Sequence, residues 1–333
     1  MHYTRFPAKG QVFRRPCISE REMIKWEYGK LCKYSLMNVR RKTMAQNRPA
    51  SYWTTRIRPR TGWFDINFKD LWHYRDLILT LVRRDFTLIY KQTILGPAWV
   101  IIQPLLTTLI FTVIFGNIAG LPTDGMPKFL FYMGGNIAWQ YFSNCLTQTS
   151  NTFISNRNLF GKVYFPRLCV PISTACSQLI NFFVQFALFI GIVVYYALQP
   201  NPIVHPNWKL IAMLPLMLVQ LAMLGLGFGI IVSSMTTKYR DLALLVSFGV
   251  HLWMYATPVA YPASMIAEKF PGLLGVYMLN PMTPLIELFR SAFLGTACYY
   301  MQYYWLSIGM TVLVFLLGVV LFSRVEKTFM DTV

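Results

Sequence analysis

Between Lys91 and Asp124 the chain runs without a charged residue, and this stretch constrains the fold more than any other feature. About 20 consecutive apolar residues cross the hydrocarbon core of a bilayer, so a run of this kind is a membrane-spanning helix. Just before it, residues 83 to 91 (Arg-Arg-Asp-Phe-Thr-Leu-Ile-Tyr-Lys) are charged and amphipathic. Gly96-Pro97 sits at the change. Proline in a first helical turn loses no hydrogen bond, and glycine lets the chain bend before it. The stretch reads as an elbow between a surface helix and a first span.

The rest of the composition agrees. Of 333 residues, 55% are hydrophobic and only 13% charged, whereas soluble domains carry about a quarter charged residues. The formal charge of +18 is uneven: residues 1 to 96 hold 20 basic against 7 acidic side chains, and residues 97 to 333 hold 11 against 6. A cytoplasmic flank attracted to anionic lipid explains this better than a nucleic-acid face. Residues 1–60 lack an apolar run long enough for a signal peptide, so the N-terminus is expected in the cytoplasm. They form a basic, weakly ordered extension, with a capping box at Ser19-Glu20-Arg21-Glu22 that allows a short helix over 19 to 37. The six cysteines have no framework spacing and read as reduced. His2, His73, His205 and His251 are scattered, so no metal site is expected.

Residues 61–96 hold an interfacial amphipathic helix. Leu71, Tyr74, Leu77, Ile78, Leu81, Val82, Phe86 and Ile89 recur at helical spacing, while Arg75, Arg83, Arg84 and Lys91 take other positions. Residues 97–333 form an all-α integral membrane domain with six transmembrane helices, near 97–118, 129–150, 168–197, 210–236, 241–262 and 302–323. Basic residues concentrate in the loops 151–167 and 237–241 and in the tail from Arg324, which places both termini in the cytoplasm of a multi-pass inner-membrane protein. Between spans five and six, prolines 271, 281 and 284 divide an apolar stretch that also carries Glu287 and Arg290. Short re-entrant helices covered by protein fit that pattern, with Glu287 and Arg290 spaced to pair on one helix face.

The chain has no GxxxxGK[ST] phosphate loop, so it is not expected to hydrolyse nucleotide. Gly225-Leu-Gly-Phe-Gly229 lies in a span, where close helix packing explains it better than dinucleotide binding. The spans carry neutral polar rows instead: Asn136, Gln140, Asn144, Thr147 and Asn151; Ser173, Ser177, Asn181 and Gln185; Ser247, His251 and Tyr255. Such rows avoid lipid. They serve either as contacts between helices or, with Tyr132, Trp139, Tyr141 and Trp253 nearby, as a conduit for a sugar with hydroxyl rims and apolar faces.

Several motifs together resemble one family. Arg84-Asp85-Phe86, then Tyr90-Lys91 and Leu95-Gly96-Pro97-Ala98-Trp99, is similar to the opening motif of permease subunits of ABC-2 type exporters that move lipid-linked O-antigen, capsule or teichoic acid. The run from Asn156 through Leu159, Lys162 and Phe165-Pro166-Arg167 resembles that family's loop between spans two and three. Tyr239-Arg240-Asp241 and Leu279-Asn280-Pro281 with Arg290 are further matches. The likeness covers about 66–333 and does not extend to residues 1–60.

The resemblance implies a homodimer with a separate ABC ATPase subunit that binds the ATP, no cofactor in this chain, and a lipid-linked polysaccharide as cargo. Asn156, Leu159, Lys162, Phe165, Pro166 and Arg167 would couple to the ATPase, and charge reversal at Lys162 or Arg167 would weaken that association. Arg84, Asp85, Tyr90 and Lys91 would belong to a cytoplasmic gate helix, and Asn280, Pro281, Glu287 and Arg290 to an outer gate. Asn136, Trp139, Gln140, Asn144, Asn181, His251 and Tyr255 are the conduit candidates. Export of a small lipid or drug, or membrane-embedded transferase activity, remain alternatives.

Overall fold

The computed structural model describes residues 68–91, 96–160, 165–200, 204–236, 241–295 and 301–332. The expected helix over 19–37, Lys162 and the Tyr239-Arg240 step fall outside these. Among the described residues, all regular structure is helical.

Helices α1 (Phe68–His73) and α2 (Arg75–Lys91) fill the expected amphipathic region with a break at Tyr74. Their apolar stripe is turned onto protein: Leu81 is buried, and Leu71, Tyr74, Leu77 and Ile78 pack on the hydrophobic core. That packing is mainly against α7 (Cys169–Ala197). A second line, Trp72, Leu79 and Phe86, stays exposed beside Arg75, Arg83 and Arg84.

Helix α3 (Gly96–Phe111) opens at the expected elbow and contains Pro104. It continues as a π-helical turn, Thr112–Ile118, in which the Ala119 N–H donates to the Ile114 carbonyl. This wider winding leaves the Gly116 carbonyl to a side chain, and Lys128 Nζ donates to it at 2.8 Å and to Asn117 Oδ1 at 3.1 Å. A cation over the last carbonyls of a helix also opposes its dipole.

Helix α4 (Lys128–Ser150) lies inside the bundle, enclosed continuously from Leu130 to Trp139. Enclosure by protein lets it carry amides that a lipid-facing helix avoids. Short helices α5 (Thr152–Ser155) and α6 (Arg157–Phe160) follow, then α7. After α8 (Trp208–Ile211) comes α9 (Leu214–Thr236), which packs against α4 on one face and α14 (Met301–Thr332) on another. The glycine run makes this possible. A Cβ at Gly225 would lie 2.7 Å from Cys145 Cβ and one at Gly229 2.6 Å from Thr149 Cβ, both on α4. A Cβ at Gly227 would lie 3.0 Å from Phe315 Cα on α14, and one at Gly318 2.7 Å from the Gly227 carbonyl. Three small residues thus admit two neighbours at backbone range, as the small-residue reading predicts.

Helices Ala98–Ile118, Cys169–Ala197, Leu214–Thr236 and Met301–Arg324 are long and apolar enough to cross a membrane. They coincide with four of the six expected spans. The second expected span is α4, long but polar. The fifth is α10 (Leu242–Tyr255), which stops short of the expected residue 262. Residues 256–262 turn instead, with Pro258 inside the turn and Pro262 capping the next helix. Then come α11 (Ala263–Lys269), a 3₁₀ turn (Pro271–Leu273), α12 (Leu274–Met278) and α13 (Met282–Leu294). The end of α13 is closed by Gly295, at φ +81, and by the N–H groups of His205 and Asn207 on the carbonyls of Leu294 and Ala292.

Candidate functional site

The expected outer-gate residues converge around α13. Arg290 is its hub, with a side chain 1% exposed. Its Nε donates to the Phe131 carbonyl of α4 at 3.3 Å, its Nη2 to the Val259 carbonyl at 2.7 Å, and its Nη1 reaches Glu287 Oε1 at 3.5 Å. The guanidinium carbon lies 3.7 Å from the centre of the Phe131 ring, within cation–π range. Glu287 Oε1 also accepts from the Ala263 N–H at 3.1 Å, holding the first turn of α11. Burial raises the Glu287 carboxyl above its ordinary range and lowers Arg290, and each partner opposes the shift of the other. The pair is therefore more than an ion pair on one helix face. It ties α13, α4 and the turn after α10 together through three acceptors that only a forked cation can reach at once.

Asn280 makes a second knot. Its Oδ1 accepts from Trp253 Nε1 and the Met282 N–H, each at 3.2 Å, and its Nδ2 donates to Thr257 Oγ1 at 3.0 Å and the Ala256 carbonyl at 3.3 Å. The end of α10 is thereby fastened to the start of α13. The Pro281 carbonyl accepts from Ser307 Oγ of α14 at 2.6 Å, and Ser307 Oγ accepts from Gln220 Nε2 of α9 at 2.7 Å. Asp124 Oδ1 accepts from Ser264 Oγ at 2.8 Å, bridging the α3–α4 loop to α11.

At the opposite end of the bundle, the expected coupling residues fold inward. Phe160 and Phe165 are buried with ring centres 5.8 Å apart, and Phe153 stacks on Phe322 of α14 at 4.9 Å. The Arg167 guanidinium lies 5.7 Å from the centre of the Phe160 ring, and the side chain is buried. Asn156 Nδ2 donates back to the Thr152 carbonyl at 3.2 Å. Leu159 and Pro166 are half-buried, while Ile154 and Ser155 are exposed. In α2, Arg84 pairs with its neighbour Asp85 at 2.8 Å on an accessible surface; Tyr90 and Lys91 belong to the last turn.

The conduit candidates differ in exposure within one chain. Asn136 and Trp139 are buried in α4, and Trp139 meets Trp253 edge-on at 6.2 Å. Gln140 and Asn144 are half-buried. Asn181 Nδ2 donates to Gln178 Oε1, and Gln178 Nε2 to Gln148 Oε1, forming an amide ladder between α7 and α4. His251 and Tyr255 are exposed on α10.

Sequence reasoning missed Gly135, where a Cβ would lie 2.5 Å from Arg290 Nη2, and the carbonyls of Phe131 and Val259. It also missed Ser307 and Gln220. Glycine at 135 was the one readable signal that something approaches α4 closely there.

Residues 76–294 match the ABC-2 type transporter family. The chain belongs to that family. This ABC-2 transporter chain is a multi-pass membrane protein, and it is 27% identical to the O-antigen export system permease protein RfbA of Klebsiella pneumoniae over 77% of its own length and 94% of that protein. It is 28% identical to a protein of the same name from Myxococcus xanthus, over 68% of its length and 83% of that protein. The inner membrane transport permease YadH of Escherichia coli is 26% identical over 59% of the ABC-2 chain and 77% of YadH. The Arg290 and Asn280 knots lie within the family match, as does the loop of α5 and α6.

Proposed function

We propose that this chain is the membrane-spanning subunit of an exporter that moves a lipid-linked polysaccharide, of O-antigen or capsule type, across the cytoplasmic membrane. A separate ATPase subunit binds ATP and drives it. The observation that carries this reading is the similarity over 94% of an O-antigen export permease. A chain without a phosphate loop needs a partner for its energy.

In this reading six helices cross the bilayer: α3, α4, α7, α9, α10 and α14. Basic residues at the α5–α6 end support a cytoplasmic position for that end and for both termini. Helices α11 to α13 are the re-entrant pieces, and α1 with α2 lies at the cytoplasmic interface, its arginines toward lipid phosphate. Residues 1–60 form a cytoplasmic extension, 61–96 the interfacial region and 97–333 the permease domain. The extension is drawn to anionic lipid at roughly 1 kcal/mol per basic side chain near the surface.

The functional unit is a homodimer. In one chain, α3 leaves Trp99, Leu106 and Ile110 uncovered, and α10 leaves Leu244, Phe248 and Leu252 uncovered beside His251 and Tyr255. A passage between two copies would use the α10 face, whereas Asn136 and Trp139 support it from inside. The loop from Asn156 to Arg167 docks on the ATPase, Arg84, Asp85, Tyr90 and Lys91 shape the cytoplasmic gate, and the Arg290 and Asn280 knots hold the outer gate. Nucleotide binding by the partner then biases two packings of the dimer.

Deleting this chain should remove surface glycan and leave lipid-linked polymer inside the cell; unchanged surface glycan refutes the proposal. The similarity to YadH, whose name specifies transport but no cargo, is equally compatible with a second reading, export of a small lipid or drug. Substrate-stimulated ATP turnover by the purified pair separates the two.

A further inference from the structure

Helix α13 is held at two points by two different rods. Near its start, the Pro281 carbonyl is bound by Ser307 of α14 at 2.6 Å, and near its end Arg290 is bound to the Phe131 carbonyl of α4 at 3.3 Å. Both rods also reach the α5–α6 loop. Helix α4 runs into it along the chain, and α14 meets it where Phe322, fully buried, stacks on Phe153 with rings inclined by 24°. Phe153 also meets Phe160, so the stack is part of an aromatic row through that loop.

We infer that movement of the α5–α6 loop reaches the outer gate as a slide of α14 against α4, which tilts α13 between its two anchors. Phe322 and Ser307 are the positioning residues at the two ends of the moving rod. This rests on the proposed function, which makes the loop the ATPase contact and α13 part of the gate. Between Phe322 and Ser307 the helix is unbroken and spans about 22 Å at about 1.5 Å per residue. A hydrogen-bonded helix of that length carries an axial shift without absorbing it in a hinge. The helix between the rods, α9, brings its backbone close to each at glycines and is also bonded from Thr236 Oγ1 to the Ser150 carbonyl of α4 at 3.1 Å, which restricts displacement to small shears of about 1–2 Å. Gln220 of α9 joins α14 at Ser307, so these two ride together at the gate end.

The test uses the complex of this chain with its ATPase in vesicles, with Val276→Cys as reporter. Val276 is exposed on α12, ahead of the Asn280 knot. Its labelling rate with a membrane-impermeant maleimide is measured with and without a non-hydrolysable ATP analogue, with the unsubstituted chain as blank. The analogue should change the rate several-fold. Phe322→Leu and Ser307→Ala should each abolish that change, while the chain still co-purifies with the ATPase and nucleotide-free labelling is unaltered. Gly309→Ala, on the same helix with open space around it, should keep the full response. A full response in the Ser307→Ala chain, or no response in the unsubstituted reporter, overturns the inference. If Phe322→Leu disturbs assembly, Ser307→Ala decides alone, because it lies far from the docking loop. Cargo is not needed for this readout. A chain that passes it yet exports no glycan would therefore refute the polysaccharide reading and leave the rod standing.

Discussion

Gln185 Nε2 of α7 donates to the Val100 carbonyl of α3 at 3.4 Å, and Pro104 explains why that oxygen is open. In an α-helix the carbonyl of residue 100 is bound by the N–H of residue 104, which proline lacks. The buried amide replaces the missing donor from a neighbouring helix, one of the ways proline is tolerated inside a span. Gln185→Leu should lower the stability of the detergent-purified chain by about 1 kcal/mol. In a Pro104→Ala chain, whose own N–H can reach Val100, the same change should have a smaller effect. Thermal unfolding of the four chains measures the coupling, and equal losses in both backgrounds would refute the pairing.

Arg290 should tolerate little. Arg290→Met leaves Glu287 buried without its cation and should destabilise by about 3–5 kcal/mol, as removal of one partner of a buried pair does. Arg290→Lys keeps the charge but cannot reach the Phe131 carbonyl, the Val259 carbonyl and Glu287 together, so its loss should fall between. Adding Glu287→Gln to Arg290→Met should recover part of the stability. Thermal unfolding in detergent ranks the set, and a lysine chain as stable as the parent would show that the fork is not needed.

The limits of sequence reading follow from what each residue does. Residues acting along their own helix were legible: the uncharged run of α3, the glycines of α9, and the prolines that break up the stretch before α14. Glu287 and Arg290 were legible as a pair at i, i+3, because that contact depends only on helical geometry. The other two Arg290 bonds end on main-chain carbonyls, which have no residue code and become available only through tertiary arrangement. Polarity was legible in α4, but not the side it faces. Asn136 lies inside, and His251 and Tyr255 lie on an uncovered face. The expected end of the fifth span failed for a different reason: the apolar run continues past Tyr255 to residue 262, although Pro258 and Pro262 within it signal the turn.

The glycines should divide into two groups. At Gly135 an added methyl meets Arg290 Nη2, and at Gly229 it meets the main chain of α4 at Leu146. Gly135→Ala and Gly229→Ala should each cost about 1–3 kcal/mol through overpacking. Because the nearest obstacle at 135 is the Arg290 guanidinium, with the Val259 carbonyl next at 3.3 Å, Arg290→Lys should relieve part of the loss in Gly135→Ala and leave Gly229→Ala unchanged. Gly191 sits in α7 with open space around it, and Gly191→Ala should gain up to about 1 kcal/mol from helix propensity. Thermal unfolding again provides the measure, and a uniform loss at all three positions would refute the division.

Docking and folding are separable at the α5–α6 loop. Arg167 is buried against Phe160, so Arg167→Glu places an anion on the electron-rich face of that ring inside an aromatic cluster. It should lower thermal stability before it affects any partner. Ile154 is 44% exposed on α5, and a large apolar side chain standing out from a short helix next to the buried Phe153 is suited to a pocket on another protein. Ile154→Asp should leave unfolding of the isolated chain within about 0.5 kcal/mol, as surface changes usually do, yet reduce co-purification with the ATPase. If Arg167→Glu loses the ATPase with no change in stability, the arginine rather than the isoleucine forms the contact.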